Sequence, residues 1–248
     1  MAKAKLAVNP KTRAVERVAE LPPPSPIDLP KPEPIKLWKA GDQPANGNGA
    51  VAASPPPVAG LRLDLACGQR ARDGYEGVDL YAPNAQHKVD LWKFPWPWAD
   101  GSVEAINCTH FIEHIPAREV ESGDLVKGAD AKRWLGQDML FAFFDEAWRI
   151  LKPDGQMNIV CPSVRSERAF QDPTHRRFIA QATFFYLSKV WREMNKLDHY
   201  NVRCNFSGDV NFSFPVELQG RHQEVQNDLF ARAWNVILDW MVVLKAVK

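Results

Sequence analysis

Asp64, Asp79 and Asp90 each close a short apolar run, in Leu61-Arg-Leu-Asp-Leu-Ala-Cys-Gly68, Gly77-Val-Asp-Leu80 and Val89-Asp-Leu91. Acids and glycines at strand ends line the carboxyl edge of a parallel sheet, where open α/β folds bind nucleotide-like ligands. A carboxylate at that edge can accept hydrogen bonds from the two hydroxyls of a ribose, and glycine lets the backbone approach a ligand closely. Asp79 is the first candidate for that diol contact, and Asp64 opens the turn at Gly68. A solvated strand-end carboxylate is the plainer reading of Asp79. For Asp90 the plainer reading is a turn aspartate before Trp92.

Two further groups carry chemistry. His110-Phe-Ile-Glu113-His114 matches H-x-x-E-H, the inverted zinc-protease motif. Zinc hydrolysis needs both imidazoles one helical turn apart, a third ligand and a glutamate that activates water. The segment follows a strand directly and meets Pro116 two residues on, so a long helix and a metal site are not expected there. Asp172-Pro-Thr-His175-Arg-Arg177 presents an acid, a histidine and two arginines on a proline turn. Histidine titrates near neutrality, so His175, with Asp172, is a candidate for general-base work or substrate binding. An N-cap and turn, with Arg176 and Arg177 on a solvated helix face, is the other reading. Trp92, Phe94, Trp96 and Trp98 cluster around Pro95 and Pro97, as a pocket wall or as packing of a loop on the sheet edge.

The elements that must position these residues follow from periodicity. Strands are expected near 61–66, 75–80, 87–90, 103–108 and 156–161, with further strands in 200–218, turning at Ser207-Gly-Asp209, and 240–247. Helical spacing of apolar residues predicts helices over 133–151, 176–196 and 222–236. Lys152-Pro-Asp-Gly155 punctuates the first of them. Between Gly68 and Gly77 there is no room for a helix of ordinary length, so a loop or single turn is expected.

The order LDLACG, GVDL, VDL resembles the cofactor half of class I S-adenosyl-L-methionine-dependent methyltransferases. Phe94-Pro-Trp-Pro-Trp-Ala-Asp-Gly-Ser102 leading to Thr-His-Phe-Ile-Glu-His-Ile115 is similar to that family's FPF-x-D-x-S-F-D … HVLEHI segment. Ala147-Trp-Arg-Ile-Leu-Lys-Pro-Asp-Gly155 resembles its E-x-x-R-V-L-K-P-G-G. The resemblance, of the type 11 kind, covers roughly residues 60–163. It implies a Rossmann-like α/β fold, a mostly parallel seven-stranded sheet flanked by helices, here with the first helix shortened or missing. It implies S-adenosyl-L-methionine contacts from Asp64, Ala66, Cys67, Gly68, Asp79, Leu80, Asp90, Leu91 and His110. It also implies methyl transfer to an oxygen or nitrogen, with His110, His175 or Asp172 near the reacting atoms. The family's glycine loop is thinned, since Ala66 and Arg70 occupy flanking positions. Arg70 would either place a cation near the methionine carboxylate or point to solvent. Thr-His-Phe after the fourth strand, and the absence of a Pro-Cys nucleophile, point away from DNA bases. A small molecule, sugar or peptide acceptor is expected. A catalytically inactive cofactor-binding or scaffold protein of the same fold, and a zinc hydrolase, are the other function classes.

Composition bounds the rest. Most of the 20 prolines precede residue 60, in stretches such as LPPPSPIDLPKPEP. Such a segment cannot bury enough apolar surface to offset chain entropy. Residues 1–58 are therefore expected to be a disordered tail, and 59–248 one methyltransferase domain. Trp38 in Ile35-Lys-Leu-Trp is either a strap on the domain or a motif for a protein partner. No apolar run is long enough to span a membrane, and no secretion signal is evident. The 4 cysteines form no C-x-x-C pair, which fits reduced thiols and a cytoplasmic protein. A net charge of +1 argues against a dedicated nucleic-acid binder.

Overall fold

The computed structural model describes residues 60–248 and two short N-terminal strands, β1 (Leu6–Val8) and β2 (Val15–Arg17), paired antiparallel. The expected tail over 1–58 and the Trp38 island otherwise lie outside the described residues.

Residues 60–248 are built on a six-stranded sheet. Its strands are β3 (Leu61–Leu65), β4 (Glu76–Val78), β5 (Val103–Thr109), β6 (Leu151–Pro162), β7 (Phe206–Phe212) and β8 (Asp239–Ala246), in the order β4-β3-β5-β6-β8-β7. β4, β3, β5 and β6 run parallel, while β8 and β7 are antiparallel to their neighbours. The sheet is Rossmann-like and mostly parallel, as the resemblance implied, but it has six strands rather than seven. The expected strand at 87–90 is reduced to one bridge, Val78 to His87. The His87 N–H reaches Gly77 O and the Asp79 N–H reaches His87 O, and the chain then leaves the sheet.

The parallel strands are buried on both faces, so they read as apolar runs rather than alternating ones. Leu63, Leu65, Val78, Ile106 and Cys108 are fully buried, together with Met139, Phe143, Phe144, Ala147 and Ile150. The last five lie on α2 (Met139–Ile150), whose N-terminus is capped by Asp138 accepting from Leu140 N at 2.9 Å. Burying each large apolar side chain contributes about 1.5–3 kcal/mol, so this one helix face anchors the sheet.

The structure corrects three expected elements. The helix predicted over 133–151 is two: α1 (Ala131–Trp134) and α2, separated where Gly136 takes φ 76°. The helix expected over 176–196 begins later. Arg176 and Arg177 N–H donate to Glu113 O, and Ile179 bridges Ser163, so that stretch is extended. A 3-10 segment (Gln181–Leu187) and α4 (Lys189–Met194) follow, after α3 (Arg168–Gln171). No turn occurs at Ser207-Gly-Asp209, because β7 runs straight through. Gly208 is there for close approach: a Cβ on it would collide with Val243 O. The last helix is α5 (Gln223–Arg232). Among the described residues no helix is long and apolar enough to cross a membrane.

Candidate functional site

β3 and β4 end side by side, with Leu65 paired to Val78. The segments leaving them therefore emerge at one edge. Ala66 (φ 53°) and Gly68 (φ 59°) both enter the left-handed region, folding the chain back over that edge. Residues 68–75 make turns and no helix, as expected. Cys67 N–H ties the loop to Val78 O at 3.2 Å. Gly77 lies directly beneath: a Cβ there would meet Cys67 Sγ at 2.7 Å and Ala71 Cβ at 3.0 Å. The Cys67 thiol is pushed up by burial and by the charges of Asp64 and Asp79. It is therefore protonated near neutrality and no nucleophile.

Asp79 stands at the centre of this edge. Its Oδ2 accepts from Gly68 N–H at 3.2 Å, and its Oδ1 accepts from Tyr81 and Ala82 N–H, each at 2.8 Å. Burial raises its pKa, but the three N–H donors outweigh it and hold the carboxyl below its ordinary value. A carboxylate offers about four acceptor positions. With three filled by the described residues, one remains, on Oδ2.

Asp64 is buried and does structural work. Its Oδ2 accepts from Arg72 N–H at 2.7 Å and its Oδ1 from Asn107 Nδ2 at 2.6 Å, while Arg72 Nη1 donates to Asn107 Oδ1 at 2.9 Å. This triangle fixes the 68–75 loop to β5. Arg70 points to solvent and, among the described residues, pairs only with exposed Asp73 at 3.5 Å.

An open cleft of about 210 Å³ lies at this edge. Of the residues expected at the site, Ala66, Asp79, Leu80, Asp90 and Leu91 line it, joined by Tyr81, Val89, Trp92 and Phe111. Asp90 Oδ1 caps its own turn, accepting from Trp92 N–H at 3.0 Å. Phe94, Trp96 and Trp98 pack the loop instead: Phe94 stacks on Trp134, and Trp96 meets Phe143 edge-on. Asp64, Cys67 and Gly68 support the cleft from behind its lining.

His110, Asp172 and His175 do not line the cleft, and the structure gathers them elsewhere. His110 (φ 53°) turns the chain off β5 into a single 3-10 turn, Ile112–His114. The helix-borne arrangement of H-x-x-E-H is thus absent. Arg176 and Arg177 N–H donate to Glu113 O at 2.7 and 2.9 Å, clamping the 172–177 segment onto that turn. Asp172 is the turn residue of the plainer reading, its Oδ1 accepting from Thr174 N–H and Oγ1 at 2.7 Å each. His110 Nδ1 lies 3.4 Å from Glu113 Oε1, near enough for charge attraction but outside hydrogen-bond geometry. That interaction, opposed by burial, pushes the His110 pKa up.

No family model and no curated protein matches this chain. Solved structures do. One is a SAM-dependent methyltransferase from Archaeoglobus fulgidus, with TM-score 0.47 and 18% identity over 75% of this chain and 86% of that one. Another, from Mesorhizobium loti, gives 0.40 and 13% over 77% and 93%. A third, from Methanosarcina mazei, gives 0.39 and 12% over 75% and 92%. Many of the similar structures are SAM-dependent methyltransferases.

Reasoning from sequence missed Arg72 and Asn107, whose partnership with Asp64 crosses from loop to β5. It also missed Phe111 and Tyr81 as cleft residues. The adjacency of Phe111 to His110 was the one available signal.

Proposed function

We propose that residues 59–248 form an S-adenosyl-L-methionine-dependent methyltransferase domain whose cofactor occupies the cleft at the ends of β3 and β4. The observation that carries this is Asp79: a cleft-lining carboxylate, held anionic and immobile by three backbone N–H groups, with one acceptor position left. That is the arrangement a ribose hydroxyl requires. The cleft fits the rest of a nucleoside. Leu80, Val89, Leu91, Trp92 and Phe111 supply apolar walls for a base, and Asp90 supplies a carboxylate beside them.

When bound, the cofactor supplies an electrophilic methyl group on a sulfonium. The residues of the chain orient it and exclude water. Ala66, Cys67 and Gly68 bring backbone to the sugar and methionine side, where Asp64 fixes the loop without reaching the cleft lining. His110, one residue past β5 and adjacent to the cleft-lining Phe111, is the candidate for taking a proton from the acceptor. The acceptor belongs to the small-molecule, sugar or peptide class, because Thr109-His-Phe111 lacks the motif that DNA amino-methyltransferases place there.

Two observations favour a second reading, a cofactor-binding protein without transfer. Glu113 raises the His110 pKa, and Asp172 and His175 lie outside the cleft lining. Calorimetric titration with S-adenosylhomocysteine tests both readings. Binding that Asp79→Ala abolishes supports the cofactor site, and no binding to the intact chain refutes it. Release of labelled methyl from the bound cofactor, screened against acceptor mixtures, then separates transferase from scaffold.

A further inference from the structure

Glu113 is 1% exposed, and neither of its carboxylate oxygens has a hydrogen-bond partner among the described residues. His110 Nδ1 stands 3.4 Å from Oε1, and Oε2 has no partner of either kind among the described residues, so the buried carboxylate is only partly compensated, which is costly unless a further positive charge completes it. One of its oxygens, a ring nitrogen of His114 and a ring nitrogen of His175 all lie within 4.8 Å of one another. We propose that Glu113, His114 and His175 form a binding site for a divalent first-row transition-metal ion, such as zinc or cobalt. The site includes no residue of the cleft lining and stands independently of the cofactor reading.

The surroundings of both imidazoles support this. The His175 ring contacts Ala169 O through Nδ1 at 2.9 Å; a carbonyl only accepts, so Nδ1 carries the proton and Nε2 keeps its lone pair. Thr174 Oγ1 donates to Asp172 Oδ1 at 2.7 Å and so accepts from His114 Nδ1 at 3.0 Å, which again leaves Nε2 free. Histidines that bind metals are oriented in this way, by a carbonyl or a carboxylate relay on the other ring nitrogen. The two rings meet edge to face with centroids 4.7 Å apart. Two imidazoles and one carboxylate form a borderline N/O set that suits zinc, iron or cobalt better than calcium or magnesium.

Metal–ligand bonds of about 2.0–2.2 Å place tetrahedral ligand atoms about 3.4 Å apart. The three atoms must therefore draw together by about an ångström and a half at most. His114 and His175 are half-buried, and a small tilt of each ring that keeps its Nδ1 contact to Thr174 Oγ1 or Ala169 O is what closure requires. The motif that reads as H-x-x-E-H in sequence is thus used differently. His110 contacts Glu113 without joining the set, and the second imidazole comes from His175, some sixty positions along the chain.

The rival explanation is that protonated His110 alone balances Glu113. The full chain, stripped with a chelator, is titrated with Zn²⁺ by calorimetry and with Co²⁺ by visible absorption. One equivalent with the ligand-field bands of a nitrogen/oxygen site is expected. Thr174→Val, which removes the relay, weakens binding by about 10- to 100-fold, and His175→Ala weakens it further, while His110→Gln leaves it in place. Thermal melts of each variant monitor the fold, and S-adenosylhomocysteine binding is unchanged in His175→Ala. Failure of the intact chain to bind either ion saturably overturns the proposal. So does equal affinity in the intact chain and His175→Ala, or loss of binding in His110→Gln alone.

Discussion

Replacing Asp79 by asparagine tests the cleft at its decisive atom. The amide oxygen can keep the two 2.8 Å bonds from Tyr81 and Ala82 N–H. Its NH₂ then faces Gly68 N–H, which now donates to Asp79 Oδ2 at 3.2 Å, so a donor meets a donor. The free acceptor position on Oδ2 is lost with it. A hydrogen bond to a charged group contributes about 1.5–3 kcal/mol. At about 1.4 kcal/mol per factor of ten, affinity for S-adenosylhomocysteine falls roughly 10- to 140-fold. The assay is calorimetry on both chains with S-adenosylhomocysteine and with analogues lacking the 2′ or the 3′ hydroxyl. The wild-type chain should discriminate against at least one analogue by a similar factor, and Asp79→Asn should lose that discrimination. If the variant binds less tightly yet discriminates as before, Asp79 supports the loop and does not grip the sugar.

Three further outcomes follow from the packing. Glu146 is fully buried, accepts from Trp96 N–H at 2.7 Å and pairs with Arg149, which also donates to Trp96 O at 3.1 Å, locking the 94–100 loop to α2. Removing one partner of a buried pair costs about 3–5 kcal/mol, so Glu146→Gln should lower the melting temperature by about 6–20 °C; a change under about 2 °C would contradict this. Gly208→Ala drives a methyl into Val243 O and should cost about 1–3 kcal/mol in urea denaturation through separation of β7 from β8; an unchanged midpoint would show that the close approach is relaxed in solution. Asp124 is held below the usual carboxylate range by the Arg118 guanidinium, outweighing burial, with Glu121 N–H adding at 2.9 Å. Its contribution is present above the unfolded pKa of about 3.9 and is lost as pH falls through the lower folded value. Asp124→Asn should therefore narrow the stability difference between pH 7 and pH 3, and an unaltered difference counts against the ion pair.

His110 runs the opposite way. Its folded pKa is raised, so its contribution is present below the unfolded value of about 6.5 and fades as pH rises through the folded one. The two groups thus bound stability from opposite sides.

What the sequence determined by itself was local and periodic. Apolar runs ending in Asp64-Leu-Ala-Cys-Gly68 and Val78-Asp79 located adjacent parallel strands, because a strand buried on both faces must be apolar and must end where polar groups can reach solvent. The short interval between Gly68 and Gly77 excluded a helix for want of residues. Tertiary structure decided whatever depended on partners distant in the chain. Strand 87–90 shrank to a bridge because only His87 meets Val78. Helix 176–196 opened because Glu113 O captures the N–H groups of Arg176 and Arg177. The Asp64–Asn107 bond, the burial of Glu113 and the meeting of His114 with His175 likewise join residues tens of positions apart. Such contacts leave no period in the sequence, since they arise only when the strand order sets two loops at the same edge.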